Sequence, residues 1–106
     1  MTIKLSIMGN KGLTLYPFIF IGSDNECLIK HEEVHLAQQK GKLFAWLWKY
    51  LTDKDFRWQE EKAAHTVQFE CMKVEGREVN KAYWQDFITK TYGIDADIVA
   101  GFLKTF

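Results

Sequence analysis

The chain has 106 residues, 47% of them hydrophobic and 15% aromatic, enough for one hydrophobic core and too apolar for a disordered segment. Its 14 basic and 14 acidic residues cancel without any long run of one sign, which argues against the phosphate-neutralising surface of a nucleic-acid binder. The longest apolar stretch, residues 43–48, is far shorter than the roughly 20 residues needed to span a bilayer, so no transmembrane segment is expected.

In chain order, residues 2–8 alternate Ile3, Leu5 and Ile7 against Thr2, Lys4 and Ser6, the period of a half-buried strand. Gly9-Asn10-Lys11-Gly12 predicts a turn, and residues 13–22 a second strand in an antiparallel hairpin. Phe18-Ile19-Phe20-Ile21 is apolar on both faces, as in a strand covered by helices, and Pro17 points to an edge or a bulge. The loop Gly22-Ser23-Asp24-Asn25 offers N-caps for a helix over residues 27–40. A second helix, 42–52, is apolar nearly all round and is expected in the core, with a membrane-surface or substrate-groove role as the alternative. Further helices are predicted over 56–75, 79–92 and 96–103, closed or capped by Gly76, Gly93 and Asp95. Val79, Tyr83, Trp84, Phe87 and Ile88 share one side of the fourth helix, while Ile98, Val99, Phe102 and Leu103 dock the last. The expectation is therefore a single α+β domain over residues 1–106, mainly helical, with an N-terminal antiparallel β-hairpin packed on the first helix.

That first helix carries His31-Glu32-Glu33-Val34-His35, an HExxH pentad. Residues four apart on a helix differ by only about 40° around the axis, so both imidazoles reach one ion. Two neutral imidazoles with a carboxylate suit Zn2+, and Glu32 stands where a general base must, beside the water that the metal activates. Glu33 is expected to face solvent.

A third ligand has to come from elsewhere. Gln38 and Gly41 occupy the places where a metzincin would continue with glycine and histidine, which excludes that pattern. The third helix offers Glu60 and Glu61; the centre of its polar face lies opposite a point between them, so periodicity leaves both open. His65, one turn after Glu61, is read as a residue that orients the carboxylate, an oxyanion donor, or an ordinary half-buried histidine. Tyr50, Tyr83 and Tyr92 are further candidate oxyanion donors.

HEEVHLAQQ, then an aromatic segment, then Glu61-Lys62-Ala63-Ala64, resembles the small minimal zincins of HExxHxxQ type, gluzincin-like metallopeptidases of bacterial and phage proteins. The likeness runs over roughly residues 18–68, with the pentad its specific portion. It implies a zinc metallopeptidase acting on a peptide or protein, with His31, His35 and Glu61 as ligands, Glu32 as base and Gln38 near the site.

Two other functions compete with the hydrolase. Cys27, His31 and His35 recur every four residues, so with Cys71 they would make a non-catalytic structural zinc site. Alternatively, a vestigial zincin helix would serve an interaction module that meets a protein partner through its aromatic surface. The opening residues, Met1-Thr2-Ile3-Lys4-Leu5, show no signal-peptide pattern, so the cytoplasm is the expected location and Cys27 and Cys71 are expected as free thiols.

Overall fold

A computed structural model describes residues 1–9 and 11–106. It shows an α+β fold, mainly helical, in which a three-stranded sheet precedes five helices. The strands are β1 (Thr2–Lys4), β2 (Gly12–Leu15) and β3 (Phe18–Ile21), with a 3-10 turn over Ser6–Met8. The helices are α1 (Glu26–Gln39), α2 (Leu43–Thr52), α3 (Lys54–Val74), α4 (Lys81–Tyr92) and α5 (Ala96–Leu103).

The sheet departs from a simple hairpin of residues 2–8 and 13–22. Its order is β1-β3-β2, with β3 central, parallel to β1 and antiparallel to β2. The segment 13–22 is two strands, because Tyr16-Pro17 forms the turn of the β2–β3 hairpin with a cis peptide bond. Pro17 thus sits between strands, where its missing N–H removes no ladder bond. Asn10, in the turn expected at 9–12, lies outside the described residues. Ile19 and Ile21 of β3 are buried, as a central strand under helices requires.

Helix starts follow their caps. The side chains of Asn25, Asp53, Asn80 and Asp95 each accept from a backbone N–H in the first turn of α1, α3, α4 and α5. Cys27, Trp58, Phe69, Met72, Ile88, Ile94, Val99 and Leu103 form the core that joins α1 and α3 to α4 and α5. Burying each large apolar side chain stabilises the fold by about 1.5–3 kcal/mol, and the cluster draws mainly on α3, α4 and α5, with Cys27 its one residue from α1.

Three expectations are corrected by the packing. Only Trp46 of α2 is buried; Phe44, Trp48 and Leu51 are 84%, 71% and 69% exposed, so this helix lies on the surface rather than in the core. Ile98 of α5 is likewise exposed. The cysteines are not free thiols: Cys27 and Cys71 form a disulfide, with Cα atoms 5.5 Å apart, that ties the start of α1 to the end of α3. The two helices pair by folding, and a thiol at each facing position then makes the bond accessible.

Candidate metal centre

The two helices meet antiparallel, so residues far apart in sequence face one another. Cys27 meets Cys71, the His31 ring lies 4.3 Å from that of His65, and His35 meets Glu61. All three histidines of the chain are thereby gathered around one carboxylate. Glu61 is that carboxylate because Glu60 is engaged elsewhere, its Oε1 accepting from Trp46 Nε1 at 2.9 Å.

Glu61 Oε1 lies 3.1 Å from His35 Nε2, 3.3 Å from His31 Nε2 and 3.9 Å from His65 Nε2. Its other oxygen, Oε2, accepts a short hydrogen bond from Tyr50 O–H, which leaves Oε1 to face the imidazoles. Glu32 Oε2 stands 3.7 Å from His31 Nε2, and Glu32 Oε1 accepts from Thr14 Oγ1 at 2.9 Å. Donors around a tetrahedral ion with bonds of about 2.0–2.1 Å are separated by about 3.3–3.4 Å, close to the His31–Glu61 and His35–Glu61 spacings. Those two spacings are compatible with one small divalent ion, and the ligand atoms of His31, Glu61 and His65 lie within 4.8 Å of one another.

No family model, curated protein or solved structure matches this chain. The chemistry of the site therefore rests on its geometry.

Neighbours fix His35 and Glu32, whereas Nδ1 of His31 and of His65 is buried without a partner among the described residues. His35 Nδ1 donates to Gln38 Oε1 at 2.8 Å, and Gln38 Nε2 donates to the Glu60 carbonyl at 3.2 Å, so α1 and α3 together set the ring's angle. Outer hydrogen bonds of this kind fix the tautomer and orientation of a ligating imidazole. Gln39, fully buried, donates from Nε2 to the Thr14 carbonyl at 2.9 Å and accepts from Tyr16 N at 2.7 Å, which bolts the β2–β3 hairpin to α1. Gly12 completes the seat: a Cβ there would lie 2.8 Å from Glu32 Cγ, so only a residue without a side chain lets β2 pass so close to the glutamate.

The cluster is also electrostatically coupled. Burial alone would lower the pKa of His35, but its hydrogen bond to Glu61 and the Glu61 charge outweigh that and raise it to about 9. Without metal both its ring nitrogens donate, Nδ1 to Gln38 and Nε2 to Glu61, and a metal would take the place of the Nε2 proton. Burial would raise the Glu61 pKa, yet hydrogen bonds from His31 and His35 hold it well below the usual carboxylate range. His65 is pushed well below the ordinary histidine value, by burial first and by the neighbouring His31 second. Burial, reinforced by Glu61, pushes Tyr50 and Tyr92 upward, so both remain O–H donors.

The fold brings His31, Glu32, His35 and Glu61 together, with Glu61 rather than Glu60 facing the imidazoles and Glu33 exposed. Tyr50 reaches Glu61, and Tyr92 O–H lies 3.3 Å from His65 Nε2, whereas Tyr83 packs on Trp84 and Phe87 at the surface. The two-cysteine, two-histidine site is ruled out in this form, because the sulfurs are bonded to each other and neither is free as a thiolate. Thr14 and Gln39 are not legible as site residues: Thr14 is one polar residue between two leucines, and Gln39 sits in the polar run Gln38-Gln39-Lys40 that gives no sign of its burial.

Proposed function

We propose that the chain is a zinc-dependent hydrolase, most simply a metallopeptidase of the minimal-zincin kind. The observation that carries this is the convergence of His31 and His35 from α1 with Glu61 from α3, with Glu32 held beside them by Thr14. His31, His35 and Glu61 would hold the ion. Zinc, when bound, supplies a Lewis acid that makes water a nucleophile near neutral pH. The chain's own contribution is to place Glu32 Oε2 as proton acceptor, to fix His35 through Gln38 and to hold Glu61 Oε2 on the Tyr50 hydroxyl so that Oε1 faces the imidazoles. A peptide carbonyl is the substrate group this arrangement suits.

Incubating the zinc-loaded protein with a peptide library and reading products by mass spectrometry tests the proposal. Glu32→Gln should keep zinc and lose cleavage, and His35→Ala should lose both; cleavage unchanged in the Glu32 variant refutes the mechanism.

A second reading, a metal-holding module without turnover, is favoured by burial: His31, Glu32, His35, Glu61 and His65 are all 5% exposed or less. In that case the exposed Phe44, Trp48 and Leu51 would be the functional surface, a stripe for a protein partner. Among the described residues no helix is long and apolar enough to cross a membrane. The cytoplasmic placement and the Cys27–Cys71 bond pull in opposite directions, since the cytoplasm keeps most thiols reduced. Thiol titration of protein alkylated at cell lysis decides between them.

A further inference from the structure

We infer that His65 is a further protein ligand of the same metal, so that the centre is one of three imidazoles and one carboxylate. The inference rests on the metal reading above and goes beyond the two histidines and one glutamate assigned there.

His65 is 1% exposed, and its Nε2 points at the oxygen of Glu61 that the other two histidines share. The ligand atoms of His31, Glu61 and His65 all lie within 4.8 Å of one another; His35 is outside that group and joins it through Glu61 Oε1, 3.1 Å from its Nε2. Glu61 and His65 are four residues apart on α3, as His31 and His35 are on α1, so each helix presents two donors one turn apart. The likeness extends to the outer hydrogen bond. His35-x-x-Gln38 and His65-x-x-Gln68 have the same spacing, and in the first pair the glutamine oxygen accepts from Nδ1 at 2.8 Å. In the second pair His65 Nδ1 and Gln68 Oε1 are both buried and have no other partner among the described residues. A modest rotation would pair them and fix the ring with Nε2 toward the metal, as Gln38 fixes His35.

A histidine buried only for packing accounts for less. Phe69 and Trp84 wall the ring, at 5.4 Å and 5.6 Å between centroids, and an apolar residue would fill that space without aiming a polar edge at Glu61. Tyr92 O–H, at 3.3 Å, is the one neutral partner the structure gives its Nε2. Three imidazoles and a carboxylate suit zinc and other divalent first-row ions. Four protein donors fill the four positions of a tetrahedral ion, so hydrolysis would need either a fifth position or withdrawal of His65 toward Tyr92.

The test uses the whole chain with zinc alone as probe. Long-range proton–nitrogen spectra of the histidine rings should show Nε2 of all three residues shifting on zinc addition in the wild type and of two in His65→Gln. By competition with a chelator, His65→Gln should bind zinc at least about tenfold more weakly while its circular dichroism is unchanged. Shifts confined to His31 and His35 in the wild type, or zinc affinity unaltered in the variant, overturn the inference and leave the hydrolase reading standing. No shift at any histidine overturns both. Should His65→Gln fail to fold, the wild-type spectra decide alone.

Discussion

Reduction of the Cys27–Cys71 bond should cost the protein about 4 kcal/mol of stability. The bond joins residues 44 apart in sequence and so closes a loop holding most of α1, all of α2 and most of α3. For a loop of about 45 residues the chain-entropy relation removes about 13 cal/mol/K from the unfolded state, or about 4 kcal/mol at 25 °C. The Cα separation of 5.5 Å lies within the ordinary range for disulfides, so no backbone displacement offsets that gain. Domains of this size are stable by only about 5–15 kcal/mol, which makes the loss a large share of the whole. Urea unfolding of the oxidised wild type against the same protein in reductant isolates the effect, because both forms keep the sulfur atoms that pack in the core. A Cys27→Ala/Cys71→Ala variant should fall slightly further, since Cys27 is fully buried and its sulfur fills space. Coincident midpoints for the oxidised and reduced chains would refute the reasoning, as would recovery of two free thiols from unfolded protein purified without reductant.

Three other outcomes follow from the site. Thr14→Val leaves the buried Glu32 Oε1 without its hydroxyl donor and should cost about 1–3 kcal/mol in urea unfolding, a loss that largely disappears when Glu32 is also replaced by an apolar residue. Glu61→Gln removes the charge at the centre of three imidazoles; calorimetry should find zinc binding lost, and the metal-free protein should unfold about 3 kcal/mol more easily. In chelator, stability should also depend on pH with a defined sign. The His35 pKa is raised from 6.5 to about 9, so its contribution is complete below the unfolded value and is lost as pH rises through about 9, up to about 3 kcal/mol. Glu61 and His65 are both lowered, so theirs are present above the unfolded values and are lost as pH falls. Unfolding midpoints that rise steadily between about pH 7 and about pH 10 in metal-free protein would contradict the His35 assignment.

Much of this architecture is legible from local chemistry. Asn25, Asp53 and Asp95 mark helix starts because their short side chains accept from first-turn N–H groups, and the HExxH spacing places two imidazoles on one face of α1 without reference to the rest of the chain. What local chemistry leaves open is decided by partners distant in sequence. Glu60 and Glu61 straddle the apolar face of α3, and it is the Trp46 indole, arriving from α2, that captures one and leaves the other to the histidines. The apolar run of α2 reads as core, yet on a helix Trp46 and Tyr50 share a side roughly opposite Phe44, Trp48 and Leu51, and only the first pair has a packed neighbour to meet. The disulfide depends on the antiparallel register of α1 and α3, which neither cysteine's surroundings encode. Thr14 is one threonine in a short strand, and nothing in β2 announces the glutamate behind it.

The Thr14 hydroxyl has a second acceptor within reach, for its Oγ1 lies 3.1 Å from the Glu32 main-chain carbonyl as well as 2.9 Å from the side-chain oxygen. A hydroxyl carries one proton and accepts through its lone pairs. With Glu32 ionised, Thr14 donates to the carboxylate. A proton taken up on Oε2 leaves Oε1 accepting from Thr14 as before, and one that reaches Oε1 donates to Thr14 Oγ1 while the threonine proton turns to the carbonyl. Either arrangement leaves the side-chain oxygen and the hydroxyl paired. The buried glutamate can therefore change its protonation without moving its neighbours, through at most a single rotation about the threonine C–O bond.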